Sequence, residues 1–391
     1  MRVLVISHPC TMKPYRRKFE ILAERYGVDI RLVLPRRWIE NFRELRFEGD
    51  LNPNSLLEIC PRPIIFPGYT SRFLYTRGLV PFFRDFRPDI IHLEEEPWSM
   101  SALQAVTLKR IFCPQSRFIF RTSLSIWVER HFSKIPYMIE RRVFRETDLA
   151  FALNEGAVRI LRRKGYTGPT YVLPNGVDTR IFKRMDVSDL KGRLGLSSNF
   201  VIGYVGRLLW MKGVHTLIEA ASKLDFDFQL MILGRGDYKG DLVRLAEKLG
   251  VSDRIVWIDV VPADEVPRYM NCLDVLVLPS LTTPHWVEFF GRVLVEAMAC
   301  EVAVVGSDSG DIPNVVGDAG LIFREGDSDD LARKLKALRD SPSLICDLRR
   351  KGLRRALEFY SWEGIAERTH EIYRQLLNYP PEPCISSANR L

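Results

Sequence analysis

Short runs of β-branched and other apolar residues alternate along the whole chain with longer stretches of helical periodicity. That alternation is the pattern of parallel α/β architecture. In the first half the runs fall at 2–7, 29–34, 89–93, 117–121, 149–153 and 170–174. In the second half they fall at 201–205, 229–233, 254–258, 274–279, 302–306 and 321–323. Six strands in each half suffice for two doubly wound sheets. Between the halves, Leu173-Pro174-Asn175-Gly176-Val177-Asp178 follows neither period and reads as a hinge. The last strong helical pattern carries Trp362, Ile365, Ala366, Ile372, Tyr373 and Leu376 on one side, a stripe that fits either domain.

Composition narrows the class. With 391 residues, 46% of them hydrophobic and 27% charged, the chain has the make-up of a soluble two-domain protein. Its apolar runs are far shorter than a membrane helix. The opening residues, Met1 to Ser7, read as a strand rather than a secretion signal. Cysteines at 10, 60, 113, 272, 300, 346 and 384 are scattered and never spaced Cys-x-x-Cys. A disulfide framework and a zinc site are both disfavoured, and a cytoplasmic location is expected. The net charge of +8 is uneven: residues 1–178 hold 29 Lys and Arg against 19 Asp and Glu, and the remainder is slightly acidic. An anionic partner is expected on the first half: a phosphorylated acceptor, an anionic membrane surface or nucleic acid. Aromatics do not interleave with the basic residues as in a nucleic-acid stacking surface, so nucleic acid is set aside.

The chemistry concentrates where strands of the second half run into loops, the edge at which open α/β sheets bind ligands. Val275-Leu276-Val277-Leu278-Pro279 leads toward a helix from about Gly291 to Cys300 whose apolar residues face every way, so it reads as buried. Glu296 on that helix needs donors that reach it, and ligand hydroxyls would serve. Glu288 lies just before the helix start, where unpaired amides and the helix dipole favour an anion. Taken singly, Glu288 reads as a helix cap and Glu296 as a core carboxylate satisfied by a neighbouring arginine. Gly206-Arg207-Leu208-Leu209-Trp210-Met211-Lys212-Gly213 follows the strand at 201–205 and offers a fork and a point charge for a diphosphate. Gly234-Arg235-Gly236-Asp237 and Gly306-Ser307-Asp308-Ser309-Gly310-Asp311 are further turns on the same edge. Together these residues favour a sugar-nucleotide site.

As a set, these motifs resemble the retaining glycosyltransferases of family 4, the group 1 type, which have the GT-B fold. The resemblance rests on Gly206-Arg207-Leu208-x-x-x-Lys212-Gly213, on Glu288 and Glu296, and on Pro174-Asn175-Gly176-Val177-Asp178. It rests also on the stretch from Ser309 to Gly320, and it covers nearly all of residues 170–378. It implies an α/β fold of two Rossmann-like doubly wound parallel-sheet domains facing a cleft. The N-terminal, acceptor-side domain would be 1–175, with a helix at 362–378 crossing back to it. The nucleotide-sugar domain would be 176–361, and 379–391 a flexible tail. By the same resemblance Arg207 and Lys212 grip the diphosphate of a nucleoside-diphosphate sugar, aided by amides at Phe290 and Gly291. Glu296 then takes the ribose and Glu288 the donor sugar, with Gly206, Gly234, Arg235, Ser309 and Gly310 lining the donor. Glu288, Arg207 and Lys212 form the catalytic group, and no metal is expected because cations and helix dipole replace it. The implied reaction is transfer, with retention, to an envelope polysaccharide or a lipid-linked acceptor. The rival readings are a non-catalytic nucleotide-sugar binder and a nucleotide-sugar epimerase or hydrolase of the same fold.

The first half departs from the family pattern. Ser7-His8-Pro9-Cys10-Thr11-Met12-Lys13 stands where members carry a Gly-Gly turn. The segment Phe120-Arg121-Thr122-Ser123-Leu124-Ser125 lacks their cleft histidine. The acceptor-side candidates are therefore His8, Lys13, Glu94, Glu95, Glu96 and Ser123. His92 reads as a core histidine, and at least two of Glu94, Glu95 and Glu96 as a solvated acidic loop. The basic residues Lys13, Arg16, Arg17, Lys18, Arg36, Arg37, Arg141, Arg142, Arg162, Arg163 and Lys164 suggest peripheral contact with the inner face of the cell membrane.

Overall fold

The computed structural model describes residues 1–40, 43–47, 55–76, 78–126, 134–197 and 200–378. The tail at 379–391 lies outside the described residues. Seven strands form the first sheet: β1 (Arg2–Ile6), β2 (Asp29–Pro35), β3 (Leu57–Arg62), β4 (Ile90–Leu93), β5 (Arg117–Thr122), β6 (Leu149–Ala152) and β7 (Thr170–Val172). Their order is β7-β6-β5-β4-β1-β2-β3, every pair parallel. The second sheet has β8 (Val201–Val205), β9 (Gln229–Leu233), β10 (Ile255–Ile258), β11 (Val275–Leu278), β12 (Ala303–Ser307) and β13 (Leu321–Phe323). It runs β10-β9-β8-β11-β12-β13 and is again all parallel. The fold is the doubly wound pair that the strand pattern predicts. Parallel strands covered on both faces lose the apolar–polar alternation, and β4, β8, β11 and β12 are buried at every position.

Two short antiparallel pairs, Arg37–Glu40 with Arg43–Arg46 and Ile64–Ile65 with Leu74–Tyr75, escape the sequence reading, and within the two parallel sheets so does one strand, β3. Its Leu-Glu-Ile-Cys-Pro-Arg is interrupted by charge and by Pro61, and it pairs only with β2 at the sheet edge. An edge is where a strand tolerates proline. Each sheet reverses direction about its first strand, between β1 and β4 in one and between β8 and β11 in the other. Loops diverge beyond the carboxyl ends of such a pair and leave a crevice for ligand.

Four helices frame the cleft and its surroundings: α1 (Arg17–Tyr26), α2 (Lys134–Glu146), α3 (Arg292–Ala299) and α4 (Trp362–Leu376). The chain passes between the sheets twice, side by side. Val177 bridges Ser361, its amide donating to Tyr360 and its carbonyl accepting from Trp362. Helix α4 then lies on the first sheet, where Trp362, Ile365, Ala366 and Tyr373 share a core with Val3, Val5, Phe19 and Ile30.

The seam includes a polar link. His92 of β4 is wholly buried beside Phe19 and Phe151, and its Nδ1 hydrogen-bonds the Tyr373 hydroxyl of α4. Burial, reinforced by the nearby Lys18 ammonium, pulls its pKa down to about 4. Below about pH 6.5 the unfolded chain therefore takes up a proton that the folded protein refuses. Stability should fall as pH drops from about 6.5 towards 4, by roughly 3 kcal/mol from this residue. Melting temperatures across that window should slope less steeply in His92→Phe than in the parent, and equal slopes would refute the assignment.

Candidate active site

Two loops flank the switch point of the second sheet. After β8 come Gly206, Arg207 and a single 3-10 turn, Trp210–Lys212. After β11 the chain runs through Ser280 and Glu288 into α3, with Gly291 in the left-handed region at its N-cap. Lys212 Nζ lies 2.6 Å from Glu288 Oε2 and 4.6 Å from the centre of the Trp286 ring. Ser280 Oγ donates to the same carboxylate oxygen at 2.7 Å. Both charged side chains are mostly buried, at 14% and 12% exposure. A desolvated pair with an extra hydroxyl donor is held far more firmly than a surface ion pair.

The backbone of Glu288 is equally tied down. Its carbonyl accepts from the amide of Asp311, after β12. Gly310 sits at φ +58, and a Cβ there would stand 2.2 Å from that carbonyl oxygen. Ser309 is buried and its hydroxyl bonds Thr282 at 3.0 Å. Loops after β8, β11 and β12 thus meet at Glu288. Beside them, the Leu208 amide donates to Arg235, and a Cβ on Gly234 would fall 1.9 Å from the Gly206 carbonyl. The two glycine turns are zipped together, with Arg207 and Arg235 exposed on their surface.

Two sequence expectations need correction here. Helix α3 is not buried all round, because Arg292 is exposed and Val293 and Glu296 are partly open on the cleft side. Glu296 is satisfied one turn back by Arg292, whose Nε lies 3.1 Å from Oε1. Burial raises the Glu296 pKa, with Arg292 opposing. Nor does Glu288 cap the helix, since its carboxylate turns to Lys212 and Ser280. Phe290 packs edge-on to Tyr360, and α3 opens towards the first domain. Arg292 donates to the Tyr15 hydroxyl, and Asn154 to the carbonyl of Phe289.

On the first sheet the switch point brings the loop after β1 against the loop after β4. The backbone amide and Nδ1 of His8 both contact the carboxylate of Glu95. The imidazole lies on Trp38, ring centres 4.5 Å apart, with Phe73 edge-on. The acidic run is not a solvated loop. Glu94 lies between Lys18, Arg121 and His92, Glu95 binds His8, and Glu96 binds Thr122 and Ser123. A separate donor awaits each carboxylate as the chain turns off the sheet. Burial alone would raise all three, and it does raise Glu95 and Glu96. For Glu94, Lys18 and Arg121 outweigh burial and hold it well below the usual carboxylate range. Lys13 is exposed, and among the described residues no hydrogen bond or ion pair ties it to the other candidates.

The basic run beside it is also largely internal. Arg16 is buried on the carbonyls of Cys10 and Thr11, Lys18 is buried on Glu94, and Arg17 pairs with Glu20 and Glu24. Lys18, Arg121, Ser7, Asn175 and Trp362 line a cavity of about 170 Å³ between β1, β5 and the turn at Pro174 and Asn175. Arg121 donates to the Asn175 side chain there. Sequence reasoning missed Ser280, Trp286 and Asn154: Ser280 reaches Glu288 within its own loop, whereas Trp286 and Asn154 meet Lys212 and the Phe289 carbonyl from distant parts of the chain.

The chain matches the profile of glycosyl transferases group 1 over residues 188–355 and that of Glycosyltransferase Family 4 over residues 22–181. It belongs to the group 1, family 4 glycosyltransferases. The enzyme therefore transfers a sugar from a nucleotide-sugar donor. This glycosyltransferase is 29% identical over 267 residues to the alpha-maltose-1-phosphate synthase of Mycolicibacterium smegmatis, covering 62% of this chain and 67% of that protein. It is 32% identical over 209 residues to the same organism's GDP-mannose-dependent alpha-(1-6)-phosphatidylinositol monomannoside mannosyltransferase, covering 51% of this chain and 55% of that protein. Anabaena HepE, solved with UDP, superposes with a TM-score of 0.72 at 20% identity, covering 96% of this chain and all of that one. That likeness is one of fold.

Gly310→Ala forces a side chain into the Glu288 carbonyl at a left-handed φ. It should destabilise the protein by about 1–3 kcal/mol in thermal unfolding. Gly192→Ala, on a helix with open space around it, should be neutral or slightly stabilising. Equal effects from the two would remove the argument that Glu288 is held by close backbone packing.

Proposed function

We propose that this glycosyltransferase moves a sugar, with retention of anomeric configuration, from a nucleoside diphosphate to a hydroxyl of a lipid-linked or envelope-glycan acceptor. The observation that carries the reading is the buried Lys212–Glu288 pair at the switch point, beside the start of α3. In this reading Arg207 and Lys212 take the diphosphate oxygens, joined by the amides of Phe290 and Gly291 at the helix start. Glu296, oriented by Arg292, takes the ribose hydroxyls, and Glu288 takes hydroxyls of the donor sugar. Gly206, Gly234, Arg235, Ser309 and Gly310 form the walls. The acceptor enters from the first domain, over His8 and its partner Glu95.

Charge stabilisation at the leaving group then does most of the catalysis. The bond from the anomeric carbon to the phosphate oxygen lengthens, and negative charge gathers on the diphosphate between Arg207 and Lys212. The acceptor hydroxyl attacks from the same face and its proton passes to the departing phosphate oxygen. Glu288 faces the positive charge developing on the sugar and forms no bond to it. Support for a diphosphate donor comes from the HepE complexes with UDP and UDP-glucose and from the GDP-mannose-dependent relative. Their bases differ, so the reading names the donor class and leaves the base open. A lipid-linked acceptor draws support from the phosphatidylinositol monomannoside in that relative's name and from the basic excess of residues 1–178.

A thermal-shift screen of UDP, GDP, ADP and CMP, with their sugar conjugates and without metal, tests the site. One nucleoside diphosphate should raise the melting temperature, and Arg207→Ala should abolish the shift. Silence from every nucleotide, or a shift that survives the substitution, would overturn the donor site.

A further inference from the structure

Helix α2 has an outer face that the transfer chemistry does not use. Its inner side carries Ile139 and Val143, buried against the first domain. On the outside Ile135, Tyr137 and Met138 are 63%, 58% and 66% exposed. Arg141 and Arg145 follow at helical spacing and are exposed too. The acids of this helix are turned elsewhere: Glu140 bonds Lys164, and Glu146 faces Lys109, Arg110 and Arg142. Among the described residues neither Arg141 nor Arg145 has a carboxylate partner, and Arg141 rests over the Tyr137 ring at 5.8 Å. An open groove of about 360 Å³ lies between this end of the helix and the turn at 165–168, lined by Arg141, Phe144, Arg145, Thr147, Tyr166 and Gly168.

We propose that the outer face of α2 is the surface by which the enzyme docks on an anionic phospholipid bilayer. The inference rests on the reading of a membrane-borne acceptor. Apolar residues standing out beside uncompensated arginines are what an interfacial helix presents to headgroups and acyl chains. The arginine pair suits a headgroup phosphodiester, since both guanidinium groups border the same groove. Direction supports the same occupant. Helix α2 follows β5, so its Lys134 end lies at the carboxyl edge of the sheet, where the cleft opens, and its Arg145 end lies at the far edge. A bilayer against this face holds the exposed Ile135, Tyr137 and Met138 next to the cleft mouth. A lipid-linked hydroxyl then reaches the site without leaving the membrane. The alternative basic run near α1 is unsuitable because Arg16 and Lys18 are buried and Arg17 is paired.

The test is partitioning of the full chain onto phosphatidylcholine vesicles with and without phosphatidylglycerol at low salt. The parent should bind only the anionic vesicles, and added salt should release it. Arg141→Gln with Arg145→Gln should weaken partitioning roughly 30-fold. Ile135→Ser with Met138→Ser should weaken it as well, whereas Arg36→Gln with Arg37→Gln should change it little. Each variant's thermal unfolding, read beside the parent's, checks that it is folded. A parent that ignores anionic vesicles overturns both the docking face and the membrane-borne acceptor. A parent that binds them equally well after Arg141 and Arg145 are replaced overturns the docking face alone.

Discussion

Everything proposed for the donor side depends on how firmly Glu288 is held. Its carboxylate receives Lys212 and Ser280, its carbonyl receives Asp311, and Gly310 makes room for that last contact. Three loops that share only a sheet edge become one rigid floor. A charged pair so nearly shut from water would be costly if either partner were lost. In the proposed donor site, the same pairing would present Lys212 to an incoming anion without the entropy of fixing a free side chain at the moment of binding.

The first domain is organised by a parallel device. Glu94, Glu95 and Glu96 leave β4 in succession and each finds different donors, so that three adjacent acids are separated by their partners rather than by solvent. Glu94 joins Lys18, Arg121 and His92, which in turn reaches Tyr373 on α4. The polar seam therefore connects the returning helix to the edge of the cleft. Arg292 to Tyr15 and Asn154 to Phe289 join the two domains across it.

Much of the fold was legible because parallel strands announce themselves as short apolar runs between helical stretches. Within the parallel sheets the exception, β3, lies at an edge, where Glu58, Pro61 and Arg62 are tolerated and blur the signal. The position of the Gly206–Gly213 loop at the end of β8 was legible because its residues follow one another in the chain. Burial was not. Arg16, Arg17 and Lys18 look alike in sequence, yet one folds back onto carbonyls five or six residues away, one pairs along its helix and one crosses to Glu94. Glu95 and His8 are 87 residues apart and meet only because β1 and β4 are neighbours. Pairings of that range depend on topology and leave no local trace.

The donor site stands or falls on whether the diphosphate lies between the loop after β8 and the start of α3. A crystal structure with a bound nucleoside diphosphate would show this without an intermediary. Phosphate oxygens are expected within hydrogen-bond distance of Arg207, Lys212 and the Gly291 amide, with ribose hydroxyls on Glu296. A nucleotide seated instead in the cavity lined by Lys18 and Arg121, with Lys212 and Glu288 untouched, would refute that placement.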